Sequence, residues 1–176
     1  TVAKILLEIL NADRIYVGGI FRELVREKGL TLEQLESYIQ QHPEIDREVD
    51  ERAAAAARHF AQQKKNVIVE GRTQFHFLPE SVKVYIKVDA TVGAQRIWKD
   101  LQSKETKQQR NEGNLHSLEE TKRRTQQREE EDAQRFKRIY HLDYRNESNY
   151  DLVLDSTEES AEEIAQRVLI YVQKRV

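Results

Sequence analysis

Hydrophobic residues recur at two spacings along this chain, and together they predict an α/β fold. Residues 2–10 carry apolar side chains at helical spacing, so a helix is expected at the start of the chain. Short apolar runs typical of strands occur at 14–17, 66–70, 82–88 and 151–155. The run at 66–70 (NVIVE) is continuous, as in a parallel strand buried on both faces.

Helical patterns separate these predicted strands. They cover residues 20–28, 44–64, 91–101, 118–140 and 161–175, with a further short helix expected from Thr31. Ser117 with Glu120 and Ser160 with Glu163 have the spacing of capping boxes. Gly18-Gly19 is predicted to form a turn, Gly29 to end a helix, and residues 103–116 to form a mobile loop. Strands that alternate with helices indicate a parallel, doubly wound sheet.

Composition excludes several classes of function. The 176 residues are 34% charged and 38% hydrophobic, with a mean hydropathy of -0.80 and a net charge of -2. This charge gives no reason to expect nucleic-acid binding. The absence of cysteine excludes disulfides and thiolate chemistry, and it fits a cytoplasmic location. No apolar run approaches the ~20 residues that span a bilayer, and the five histidines lack metal-ligand spacing. We expect a monomer without a membrane partner.

Arginines at the predicted strand ends suggest phosphate chemistry. Arg22 follows the first strand closely, and Arg72 follows the strand at 66–70 directly. Arg128, Asp132 and Arg135 are spaced by four and three residues, so they share one helix face. Taken singly, Arg72 is equally compatible with a surface ion pair, Arg22 with a solvated helix position, and the other three residues are more typical of an ordinary surface network. Their joint placement favours phosphoryl transfer, which needs several fixed guanidinium groups around phosphate oxygens.

Six segments, in this order, resemble the cytidylate kinases over nearly the whole chain: GGIFRELVREKGL, PEIDREVD, NVIVEGR, VKVYIKV, REEEDAQRF and YDLVLDST. The resemblance implies an α/β, P-loop kinase-like fold: a parallel sheet of order 2-3-1-4-5 flanked by helices, with a monophosphate-binding insertion and a helical lid. The chain would be one domain over 1–176. Its core would comprise 1–28, 65–100 and 141–176, its insertion 29–64 and its lid region 101–140.

The resemblance also implies roles for individual residues. MgATP would phosphorylate CMP or dCMP, with ATP and Mg²⁺ as cofactors. Arg22 and Arg72 would hold the acceptor phosphate beside Gly18 and Gly71, and Asp132 would bind the acceptor ribose. Arg128 and Arg135 would contact the transferring phosphoryl group, with Arg96 near the ATP phosphates and Thr1 following the ATP-binding loop. Asp46 would lie at the acceptor site, although a solvated carboxylate fits its sequence position equally well.

The sequence departs from the family pattern in two places. Thr73 stands where bacterial cytidylate kinases usually have an aspartate, so UMP or AMP is an alternative acceptor. The sequence also has no G-x-x-x-x-G-K-[ST] motif, the loop that cradles ATP phosphates. We expect strand 1 and this loop, roughly a dozen residues, upstream of Thr1, with the strand lying between those at 66–70 and 82–88 in the sheet. A truncated kinase, an inactive nucleotide-binding module and a helical interaction protein are also compatible with the sequence.

Overall fold

The computed structural model describes residues 1–27, 29, 38–39, 42–102 and 115–175. Its α-helices are α1 (Val2–Leu10), α2 (Val17–Glu27), α3 (Glu44–Gln62), α4 (Gln74–Phe77), α5 (Ala90–Leu101), α6 (Leu118–Tyr140) and α7 (Ala161–Gln173). Its strands are β1 (Asp13–Tyr16), β2 (Val67–Glu70), β3 (Val84–Lys87) and β4 (Leu152–Asp155), and a 3₁₀ turn covers Glu147–Asn149. The predicted α/β class is confirmed.

The strands pair as β1 with β2 and β3 with β4. The first pair is parallel, with Asp13 opposite Val67 and Tyr16 opposite Glu70. The second pair also runs in one direction. Hydrogen bonds to the Lys83 carbonyl come from the start of β4, whereas the Lys87 carbonyl accepts from Ser156 N after its end. Because strand 1 of the expected order 2-3-1-4-5 was predicted upstream of Thr1, β1 to β4 correspond to strands 2 to 5. The observed pairs are then strands 2 and 3 and strands 4 and 5, which are neighbours in that order.

The chain forms two compact units. The first comprises Thr1–Lys83, Ser148–Leu152 and Ala161–Val176. Its core lies between α3 and the β1–β2 sheet, where Ile15, Val17, Val49 and Ala53 are buried together. The alanines of α3 let the helix backbone approach the strands closely, and fully burying a side chain such as Val49 contributes roughly 1.5–3 kcal/mol.

The second unit comprises Val84–Glu147 and Val153–Ser160, and in it α5 packs against α6. Both helices begin at side-chain caps. Asp89 accepts hydrogen bonds from the N–H groups of Thr91 and Val92. Ser117 Oγ accepts from Glu120 N at 3.1 Å, which confirms the predicted cap. The Glu120 carboxylate accepts from His116 N at 2.8 Å, one residue before the cap.

Some predicted elements were wrong in detail. Gly18 and Gly19 lie inside α2 and do not form a turn, because α2 begins directly after β1. The short helix α4 was not predicted. Strand β2 is only half-buried along its whole length, since it pairs with β1 on one side. The helix expected from Thr31 and most of the loop expected over 103–116 lie outside the described residues.

Gly29 has a positive φ of 65°, as expected of a residue that ends a helix. No helix among the described residues is long and apolar enough to cross a membrane.

Candidate active site

In the first unit, the parallel pairing of β1 and β2 brings two predicted site glycines to one sheet edge. Both strands end at this edge, where ligands of open α/β sheets bind. Gly71 lies so close to Val17 that a Cβ on Gly71 would stand 2.7 Å from Val17 Cγ2. At Gly18, a Cβ would stand 2.9 Å from the ring of Tyr16. Gly71 therefore needs glycine because buried Val17 occupies the space, whereas at Gly18 the exposed ring of Tyr16 could shift to make room.

Helix α3 presents a pair of buried carboxylates on the same face as its apolar core residues. Asp46 is 1% exposed and Asp50 3% exposed, four residues apart on one helix face. The interpretation of Asp46 as a solvated carboxylate is therefore wrong. Buried carboxylates require hydrogen bonds or positive charge to offset their desolvation, so this pair is a polar feature inside an otherwise apolar face.

Asp50 is the acceptor of a buried hydrogen-bond network at the carboxyl end of β2. Thr73 Oγ1 and Gln74 Nε2 each donate to Asp50 Oδ1 at 2.8 Å. Thr73 and Gln74 are 2% and 4% exposed. In the sequence, the residues after Arg72 depart from the family pattern from Thr73 onwards, and no role is predicted for Gln74. The structure shows that a carboxylate from α3 reaches Thr73 at this place.

The two arginines predicted to hold the acceptor phosphate follow the two strands of this sheet. Arg72 precedes the Asp50 network directly and is partly buried. Arg22 lies on α2, one turn after Gly18, and its side chain is outside the described residues. The roles of both arginines in phosphate binding stay predictions.

In the second unit, α6 places Asp132 and Arg135 in contact. Arg135 Nη2 lies 2.7 Å from Asp132 Oδ1, and the side chains are 25% exposed for Arg135 and 8% for Asp132. The Arg135 guanidinium also lies over the ring of Phe136, 4.9 Å from its centre. Arg128, one turn before Asp132, is partly buried. The predicted shared face is therefore present, and it is less exposed than a surface ion pair would be.

Arg96, on α5, holds the segment that follows β4. Its Nη2 donates to the carbonyls of Ser156 at 2.7 Å and Thr157 at 3.2 Å. In the same segment, hydrogen bonds from Thr157 hold the pKa of the Asp155 carboxyl below its usual value. The structure thus brings Arg96 to a strand end, where it fixes backbone carbonyls. Its position near ATP phosphates stays a prediction.

Thr1 is exposed and is the N-cap residue of α1, but its side chain makes no capping hydrogen bond. Its assignment to the ATP side of the site stays a prediction. Among the described residues, no three histidines, aspartates or glutamates are grouped as metal ligands.

Known proteins share sequence similarity with most of this chain. A family model described as the cytidylate kinase-like family matches residues 2–158. The chain belongs to the cytidylate kinase-like family. The resemblance drawn from the sequence segments is therefore confirmed.

Two archaeal relatives match most of the chain. A cytidylate kinase of Archaeoglobus fulgidus is 34% identical over 174 residues, covering 98% of this chain and 87% of that protein. A cytidylate kinase of Pyrococcus horikoshii is 32% identical over 163 residues, covering 92% and 76%. These names support a nucleotide kinase function.

A third relative has a different name and is much longer. An S-adenosylmethionine-dependent nucleotide dehydratase of Lacinutrix mariniflava is 30% identical over 175 residues, which cover 99% of this chain but 33% of that protein. A sequence like that of the whole chain therefore also occurs as one part of a larger protein.

Asp50 and Gln74 are the polar site residues that sequence analysis missed. The signal for Asp50 was available, because Asp46 and Asp50 have helical i,i+4 spacing beside the buried positions Ile45 and Val49. No comparable signal marked Gln74, since its partner lies 24 residues earlier in the chain.

Proposed function

We propose that this chain is a nucleoside monophosphate kinase that transfers the γ-phosphoryl group of MgATP to CMP or dCMP. The observation that carries the proposal is the buried Asp50–Thr73–Gln74 network directly after Arg72, at the carboxyl end of a parallel strand. It combines hydrogen-bonding groups suited to a base with an adjacent guanidinium suited to a phosphate. Membership of the cytidylate kinase-like family supports the same conclusion.

In the proposed reaction, an oxygen of the acceptor monophosphate attacks the γ-phosphorus of ATP. The bond from that phosphorus to the bridging oxygen of ADP breaks as the new phosphorus–oxygen bond forms. No covalent enzyme intermediate is needed, because positioning and charge neutralisation supply the catalysis.

In the proposed mechanism, arginines position the acceptor phosphate and neutralise the charge on the transferring phosphoryl group. Arg22 and Arg72 hold the acceptor phosphate, while Arg128 and Arg135 neutralise charge on the transferring group. Asp132, fixed by its contact with Arg135, accepts a hydrogen bond from the acceptor ribose. Arginine suits these tasks because its planar fork binds two oxygens at once.

Mg²⁺ enters the proposal as part of MgATP. This ion usually keeps several waters and binds through substrate phosphates with only one or two carboxylates. Such binding does not require the cluster of three ligands that is absent from the described residues.

A coupled assay that follows ADP release tests the proposal in the full chain. With MgATP present, CMP and dCMP should be phosphorylated faster than UMP and AMP. Arg72→Ala should lower kcat/KM by at least tenfold, because a charged hydrogen bond to the acceptor phosphate contributes about 1.5–3 kcal/mol. Arg47→Ala, which removes an exposed arginine of α3, is the matched control and should leave the rate unchanged.

A second candidate is a nucleotide-binding module without kinase activity. The residues proposed to bind the acceptor lie within this sequence, whereas a G-x-x-x-x-G-K-[ST] motif that would hold ATP phosphates does not. The match to part of a nucleotide dehydratase is compatible with it as well. Calorimetric binding of CMP without turnover of any monophosphate would support this candidate and contradict the kinase proposal.

A further inference from the structure

The amide of Gln74 has a fixed orientation. Its Nε2 donates to Asp50 Oδ1 at 2.8 Å, and the same oxygen accepts from Thr73 Oγ1. Asp50 Oδ1 accepts both hydrogen bonds, so the amide directs its nitrogen towards Asp50. A flipped amide would place two acceptor oxygens against each other. The oxygen Oε1 of Gln74 therefore faces away from Asp50.

This oxygen is a buried acceptor to which no described residue donates. Gln74 is 4% exposed, and its Oε1 has no hydrogen-bond partner within the part of the chain that the structure describes. Buried acceptors of this kind are rare in folded proteins, and each calls for an explanation. A ligand that supplies an N–H group at this point would remove the penalty of the unmade hydrogen bond.

Gln74 lies at the end of the sheet where the acceptor nucleotide is proposed to bind. Gln74 follows Arg72 by two residues at the carboxyl end of β2, where ligands of such sheets bind. Its side chain lies along Gly71, since a Cβ there would stand 2.8 Å from Gln74 Cγ. Gly71 itself is exposed, so the backbone beside the Gln74 side chain lies at the surface.

We propose that Gln74, oriented by Asp50 and Thr73, is a specificity-determining residue that accepts a hydrogen bond from the exocyclic amine of the acceptor base. The inference rests on the proposed function, because it takes a nucleoside monophosphate as the ligand. Cytosine and adenine carry such an amine. Uracil has a carbonyl at the equivalent position, and two acceptors facing each other in a buried site repel.

Equilibrium binding tests this role independently of turnover. Isothermal titration calorimetry on the full chain would use CMP, UMP, AMP and pyrimidin-2-one ribonucleoside 5′-monophosphate, which lacks the amine. The wild type should bind CMP about tenfold more tightly than UMP and the pyrimidinone, the effect of one buried hydrogen bond. Gln74→Met, which keeps the length of the side chain without its acceptor, should bring the three pyrimidine nucleotides to within about threefold.

Gln62→Met is the matched control, because Gln62 is an exposed glutamine in the last turn of α3. It should preserve the preference for CMP. Gln74→Leu provides a second variant if Gln74→Met has a lowered melting temperature. The AMP titration distinguishes the two amine sources: loss of AMP binding in Gln74→Met shows that adenine uses the same acceptor, whereas unchanged AMP binding assigns the acceptor to cytosine.

Two results would overturn the inference: equal binding of CMP and UMP by the wild type, or a preference for CMP that survives in folded Gln74→Met and Gln74→Leu. The kinase proposal is tested separately, by turnover. Turnover of CMP without a preference that depends on Gln74 leaves the kinase proposal intact and removes this inference. A preference for CMP that depends on Gln74, in the absence of turnover, supports this inference and contradicts the kinase proposal.

Discussion

At the scale of single residues, neighbouring side chains fill the space beside two glycines at predicted site positions. Gly18 leaves room for the Tyr16 ring, and Gly71 for the side chains of Val17 and Gln74. Neither glycine has the positive φ that would make glycine necessary for backbone reasons. Close packing therefore requires glycine at position 71, where Val17 belongs to the core, whereas the exposed ring of Tyr16 can move aside at position 18.

Gly71→Ala is expected to lower the free energy of unfolding by about 1–3 kcal/mol, as overpacking typically does. The new Cβ would lie at 2.7 Å from Val17 Cγ2 and 2.8 Å from Gln74 Cγ, and Val17 is held in the core. Urea unfolding measures the change. Gly19→Ala is the matched control, since its Cβ would find its nearest contact at 3.5 Å. Gly19→Ala should be neutral or slightly stabilising; an equal loss in both variants would contradict the packing argument.

At the scale of elements, α3 and α6 each combine a packed face with buried carboxyl groups. On α3, Asp46 and Asp50 lie beside the apolar positions that pack on the first sheet. On α6, Asp132 is buried beside Ala133 and Phe136. Helix periodicity thus places these carboxyl groups on the side of the helix that packs, where neighbouring residues fix their orientation.

Ser117→Ala should destabilise the first turn of α6 by about 1 kcal/mol, the usual cost of losing an N-cap hydrogen bond. The bond lost is the one from Glu120 N to Ser117 Oγ. Hydrogen exchange of the amides in the first turn of α6 measures the effect, which should be faster exchange at Glu120. Ser117→Thr keeps an acceptor and should keep protection close to that of the wild type. Unchanged exchange in Ser117→Ala would show that the cap contributes nothing.

At the scale of the whole molecule, one carboxylate joins distant parts of the first unit. Asp151 accepts a hydrogen bond from Lys83 N at 2.8 Å and one from Arg175 at 3.1 Å. These contacts lower the pKa of the Asp151 carboxyl below its usual value, and the hydrogen bond from the Lys83 backbone makes the largest contribution. A chain segment before β3, the segment before β4 and the end of α7 therefore meet at a single ionised group.

Acid should weaken the first unit through Asp151. A carboxyl whose folded pKa is depressed stabilises the fold above its unfolded pKa, and this contribution is lost as pH falls below about 4 towards the folded pKa. Asp151→Asn should therefore show a smaller loss of stability between about pH 5 and pH 2 than the wild type. Urea midpoints at several pH values measure this. Glu162→Gln, at an exposed position of α7, should retain the dependence of the wild type; an identical pH profile in Asp151→Asn would contradict the linkage.

Much of the secondary structure followed from local patterns. The bounds of α1 and the start of α6 were predicted from apolar spacing and from the Ser117 cap, which are properties of neighbouring residues. The exceptions involve contacts between distant residues or close packing. Helix α2 begins at Val17, directly after β1, and α4 follows a strand whose partner lies more than 50 residues earlier.

The sequence by itself determined the α/β class, the family and the positions of the candidate arginines. These features depend on hydrophobic periodicity and on the order of the motifs, which are properties of the linear sequence. Only the tertiary structure decided which polar groups meet. It buried Asp46, which the sequence left equally compatible with solvent, and it brought Asp50 to Thr73 and Gln74. The physical reason is that a side chain's burial and hydrogen-bond partners depend on how separate elements pack, which local spacing does not specify.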